Sequence, residues 1–155
     1  MDTIISFLRQ LEANNNKPWF DAHKGEYMEA RANFNAIVEK LIQGISEFDP
    51  TVRGVGIKEC TYRIHKDMRF SKDGLPYKTH CGAFIARGGK KSGYSGYYFH
   101  IGTGSGEIYP CRSFLAVGNY YMEPKVLKIL REDIELGGGD FDRIIKGLDP
   151  SLSLD

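Results

Sequence analysis

The chain has 155 residues and a mass of 17.5 kDa, with 41% hydrophobic and 26% charged residues and a net charge of +1. A chain this long buries ~70% of the surface its unfolded form exposes, so it needs no disulfide or metal to fold, and its composition excludes disorder. The apolar runs fall far short of the ~20 residues of a membrane span, and three widely spaced cysteines (Cys60, Cys81, Cys111) argue against a disulfide framework or zinc ribbon.

The start, Met1-Asp2-Thr3, has no basic stretch of the kind that opens a secretory signal, so a cytoplasmic location is expected. Ile4, Phe7, Leu8 and Leu11 recur at helical spacing and predict a short amphipathic helix. Asn14-Asn15-Asn16 ends it. A second helix starts at Lys17-Pro18, with Asn16 as N-cap, and keeps its period to Phe48 before Asp49-Pro50 stops it. At about 30 residues it would be ~45 Å long. It is expected to bend, to break near Gly25, or to flank a sheet along its length.

The period then changes. Cys60, Tyr62, Ile64, Met68 and Phe70 alternate with polar residues and predict a strand, with Lys66 interrupting its apolar face. Further strands are expected over Tyr77–Arg87, Gly96–Ile101 and Ser113–Tyr121, joined by glycine-rich loops in an antiparallel meander. Glu123–Leu136 returns to helical spacing, Gly137-Gly138-Gly139 breaks it, and Asp140 is the expected cap of a last short helix. Helices on both sides of a block of strands imply an α+β fold: one domain over residues 1–155, a mainly antiparallel sheet, and the long N-terminal helix and a C-terminal helix packed on one face.

The charge is uneven. Arg53 to Lys91 holds ten basic residues against three acidic ones, a net +7, and the remainder holds eleven against seventeen, a net −6. A local basic region on an acidic chain suits a small anionic ligand better than a long polyanion, so nucleic acid is the less favoured partner and a membrane is not expected. Within that region, Arg63, His65, Asp67 and Arg69 would project from one strand face, with Lys78 returning on the next strand. One carboxylate can orient the nearer guanidinium without neutralising both. The excess of fixed donors suits phosphate or carboxylate. Arg63, Arg69 and Lys78 are therefore the expected anion contacts, Asp67 the residue that orients Arg69, and Tyr77 and His80 the lining. Were the site catalytic, Asp67, His65 or His80 would be the base.

Two alternatives stand beside this reading. The Arg–Asp network could be pure scaffolding in a structural or interaction module. His65, Asp67, His80 and His100 could instead gather around a metal for hydrolysis, although no recognised ligand spacing occurs and the adjacent arginines would repel a cation. The sequence names no metal and no cofactor. The cysteines lie in apolar contexts that suit inert thiols.

Several of these residues also carry a resemblance. Asn14-Asn15, Lys17, Trp19-Phe20, Lys24 and Tyr27, then Arg63-Ile-x-x-Asp67-x-Arg69-Phe-Ser-Lys-Asp73-x-x-Pro76-Tyr77-Lys78-Thr-His80, then Gly96-Tyr97-Tyr98-x-His100-Ile101 and Gly118 are similar to domain-of-unknown-function family 2461. The resemblance runs to about Lys146 and implies a coherent fold and the importance of the central motif, with no activity, substrate or cofactor attached. Where this chain has Gly74 the family more often has a basic residue, so Gly74 is not expected to be critical. The family also tends to run on further, so the chain is expected to be a truncated or unusual member.

Overall fold

Ile4, Phe7, Leu8 and Leu11 form the buried stripe of α1, Asp2–Ala13, in the computed structural model, which describes residues 1–69, 71, 73–119 and 122–147. Asn16 caps α2, Lys17–Ala22, its side-chain oxygen accepting from the Trp19 N–H at 3.0 Å, with Pro18 in the first turn. The expected long helix breaks at His23, two residues before Gly25. There the backbone leaves helical geometry and the His23 ring stacks on Trp19 at 4.0 Å. α3 then runs Lys24–Phe48 without interruption, and Asp49 closes it. Ala30, Phe34 and Val38 of α3 enter the core.

A short 3-10 turn, Pro50–Val52, leads to α4, Ile57–Cys60, where the Glu59 carboxylate accepts from the Gly56 N–H at 2.8 Å. The predicted strand from Cys60 does not form. Cys60 ends α4, and the following arm makes only two isolated bridges, Thr61 with Ala83 and His65 with Tyr77. Three residues, 62–64, separate these bridges on one arm and five, 78–82, on the other. A ladder with two surplus residues on one side cannot be continuous. Pro76 adds to the break, because it accepts from the Lys66 N–H at 2.9 Å and has no N–H to return. The alternation in the sequence instead reflects burial: Cys60 and Ile64 are buried, while Arg63, His65 and Met68 are exposed. Phe70, Lys72, Tyr120 and Tyr121, which were expected in strands or in the loop between them, lie outside the described residues.

The three strands are β1, Cys81–Ala86, β2, Gly96–Ile101, and β3, Phe114–Gly118, in the antiparallel order β1-β2-β3. The fold is α+β. Cys81 pairs with Ile101, and His100 pairs with both Gly82 and Phe114. One face carries Ala83, Ile85, Tyr97, Phe99 and Ile101 into the core, and Phe34 of α3 stacks on Phe99 with centroids 5.8 Å apart. The other face carries Gly82, Phe84, Tyr98, His100 and Phe114.

The chain divides into two compact units, residues 1–119 and 120–155. The second contains α5, Pro124–Leu136, and α6, Gly138–Lys146. Asp140 does not cap α6. The helix already starts at Gly138, and Asp140 pairs with Arg143 one turn on at 2.9 Å. Among the described residues no helix is long and apolar enough to cross a membrane.

Candidate functional site

The surplus residues of the second arm carry Lys78 and His80 outward, into a cleft of about 300 Å³ shared with Lys66, Asp67, Ser71 and Tyr109. Lys66 and Asp67 are sequence neighbours, so the arm has lost strict strand alternation by this point. Lys66 donates to Asp73 at 2.6 Å. Asp73 also accepts from the Ser71 hydroxyl at 2.7 Å and the Leu75 N–H at 3.1 Å, which folds the 71–75 loop around one carboxylate. The Lys66 bond, then those from Ser71 and Leu75, hold Asp73 well below the usual carboxylate range. Gly74 completes this loop with φ +66° in open space: a side chain would fit there, but the backbone conformation costs it roughly 1–2 kcal/mol.

Lys78 is the distinctive cation. Its ammonium makes no ion pair among the described residues and sits 5.5 Å from the centroid of the Tyr62 ring. Burial first, then Arg63 and Lys66, push its pKa down. Arg63 itself is exposed, outside the cleft lining, with no ion pair among the described residues.

Asp67 does hold Arg69: Nε donates to Oδ1 at 3.0 Å and Nη2 to Oδ2 at 2.7 Å. This fork lowers the Asp67 pKa, so the carboxylate is a weak base. The Arg69 side chain is 80% exposed and does not line the cleft. The pair spans two residues of one segment.

Tyr77 does not line the cleft either. It is 4% exposed, and its ring stacks on Phe20 at 4.1 Å. The His65 ring lies edge-on to the same two rings, at 5.7 and 5.2 Å. The structure thus brings Asp67, Lys78 and His80 together and places Arg63, His65, Arg69 and Tyr77 outside.

His80 stacks on His100 with centroids 4.6 Å apart, and its Nε2 lies 3.4 Å from the Tyr109 hydroxyl. Its Nδ1 is buried and has no partner among the described residues. Burial, then the positive character of His100, Lys78 and Lys66, lowers its pKa to about 3, so it is neutral near pH 7. His100 is fully satisfied. Its Nδ1 lies 3.0 Å from the Tyr98 hydroxyl and its Nε2 lies 2.9 Å from the Pro110 carbonyl. A carbonyl only accepts, so Nε2 carries the proton and Nδ1 accepts from Tyr98.

Lys66 and Tyr109 escaped the sequence reading of the site. Tyr109 reaches it because Gly102 lies directly against the Cys111 and Pro110 carbonyls, where a Cβ would collide with both. That approach folds the 102–113 loop back onto the sheet. Arg31 of α3 was also missed. It anchors the first arm, donating to the Tyr62 carbonyl at 2.8 Å and the Thr61 hydroxyl at 2.6 Å.

Burial raises both Cys60 and Cys81 to about 11, so these thiols stay protonated. Among the described residues no group of three His, Cys, Asp or Glu side chains gathers to hold a metal. A wider depression along α6 is lined by Asp142, Arg143 and Lys146, whose charges already pair within the helix.

The chain matches the conserved hypothetical protein family DUF2461 over residues 3–151. It belongs to that family. No curated protein and no solved structure matches it. The family's central motif, Arg63 to His80 here, is the segment that builds most of the cleft.

Proposed function

We propose that the cleft recognises a small anionic ligand through phosphate or carboxylate, in a cytoplasmic protein. The observation that carries this reading is Lys78: a half-buried ammonium, crowded by other cations and near an aromatic ring, that makes no ion pair among the described residues. The cations that act on it are Arg63 and Lys66, and Lys66 already pairs with Asp73. Holding like charges together costs free energy that an anion would recover. The Arg69–Asp67 fork lies within one segment, so the fork itself adds little to the scaffolding alternative.

Thermal shift with inorganic phosphate at two salt concentrations tests the reading, with Lys78→Met alongside. Phosphate at 100 times its dissociation constant should stabilise the wild type by about 2.7 kcal/mol. The shift should shrink in high salt and vanish in Lys78→Met, while that variant still melts cooperatively. No shift with phosphate or any carboxylate, or an equal shift in Lys78→Met, overturns it.

A further inference from the structure

A bare anion does not account for the whole cleft. Asp67 lines the same space as Lys66 and Lys78. Arg69 fills three of the roughly four lone-pair positions of that carboxylate, through Nε, Nη2 and its backbone N–H, so one acceptor position remains, on Oδ2. A carboxylate facing the ligand repels a simple anion and rewards one that also carries hydroxyl or amine donors. The opposite wall is aromatic. Phe114, His100 and His80 form a run of near-parallel rings, with centroids 4.9 and 4.6 Å apart. Tyr109 leans against both histidines at 5.4 and 5.2 Å while remaining 60% exposed at the cleft. A ring held from behind in this way gives a flat ligand a surface already ordered before binding. Cations, a hydrogen-bond acceptor and an aromatic wall in one small cleft call for three groups in one ligand: an anion, donors and a planar ring.

We infer that the ligand is a nucleotide, its phosphate at Lys66 and Lys78, a ribose hydroxyl at Asp67 and its base against Tyr109. This rests on the anion reading above and narrows it. The nucleotide has two sources, a free mononucleotide or the phosphorylated end of a strand, and both present the same three groups. The neutral state of His80 suits this wall, since a neutral imidazole is flat and apolar on its face.

Calorimetric titration of the wild type compares the four nucleoside 5′-monophosphates with ribose 5-phosphate and inorganic phosphate, then with a short 5′-phosphorylated oligonucleotide. At least one mononucleotide should bind about tenfold or more tighter than ribose 5-phosphate, the usual gain from one stacked base. Tyr109→Leu should bring that nucleotide down to the level of ribose 5-phosphate, and Tyr109→Phe should keep most of the preference. An oligonucleotide that binds more tightly assigns the source to a strand end, and one that binds more weakly assigns it to the free nucleotide. Ribose 5-phosphate binding as tightly as every nucleotide, or a preference unchanged in Tyr109→Leu, overturns the nucleotide and leaves the anion site standing. Binding of no phosphate compound at all removes both. Should Tyr109→Leu fail to fold, the wild-type ratio decides alone.

Discussion

The two faces of the sheet use aromatic rings in opposite ways. On the inner face Phe99 meets Phe34 in a nearly parallel pair, among Ala83, Ile85 and Ile101, while the Tyr97 hydroxyl donates to Asp49 at 3.1 Å. On the outer face Tyr98 and His100 are joined to one another and to the Pro110 carbonyl, so each ring is held by bonds as well as by packing. The inner face excludes water and supplies stability. The outer face orients donors and acceptors, and its run of rings ends at His80, whose Nδ1 has no partner among the described residues. Burial thus does different work on the two sides: it fills space on one and sets protonation on the other.

The sharpest way to break the contrast is to delete a ring on the inner face. Phe34 is fully buried, and Phe34→Ala should cost about 3–5 kcal/mol, read as a lower midpoint in denaturant with an unchanged slope. A loss below 1 kcal/mol would mean that α3 does not carry the core.

On the outer face the largest effect should come through pH. His80 titrates at about 3 folded and near ~6.5 unfolded, so between those values the unfolded chain binds more protons. Its contribution to stability is therefore full above pH ~6.5 and is lost as pH falls toward 3, with a slope of up to about 1.4 kcal/mol per unit. Between pH 7 and 5, where most carboxylates stay ionised, the slope should flatten in His80→Phe. An identical slope in that variant would place the titration elsewhere.

Gly102→Ala should cost about 1–3 kcal/mol through overpacking and should also weaken nucleotide binding toward the ribose 5-phosphate level, because the loop carrying Tyr109 must move. An unaffected melt would show that the loop yields freely. The smallest effect belongs to Arg69→Ala. Its exposed fork to Asp67 should leave the melting temperature within about a degree of wild type. A large drop there would restore the scaffolding reading of the motif.

The helical part of the fold was open to reading because local patterns decide it. The stripe of α1 and the Asn16 cap need only neighbours within a turn. β2 formed over the residues whose pattern predicted it, Gly96–Ile101. The arm after Cys60 was not readable, because alternation reports which residues are buried and says nothing of the surplus in residues 78–82 that breaks the ladder. That surplus separates the expected site from the observed one. It selects Lys78 and His80, while the aromatic packing around Phe20 takes His65 and Tyr77. Tyr109 lay beyond any local pattern, 29 residues along the chain from its partner His80. The Gly102 that brings it there looked like one more flexible loop residue.

The segment between α1 and α2 holds a final consequence. Asn15 donates from its side-chain amide to the Tyr77 carbonyl and accepts from the Tyr77 N–H, at 3.0 and 3.1 Å, so one side chain stands in for a whole strand residue. A carboxamide plays both parts and a carboxylate only one. Spontaneous deamidation of Asn15 would exchange the donor for a second acceptor facing the carbonyl, opening the clasp between the helical layer and the arm that leads to Lys78. The age of a protein sample would then register at the cleft, through an atom that never touches it.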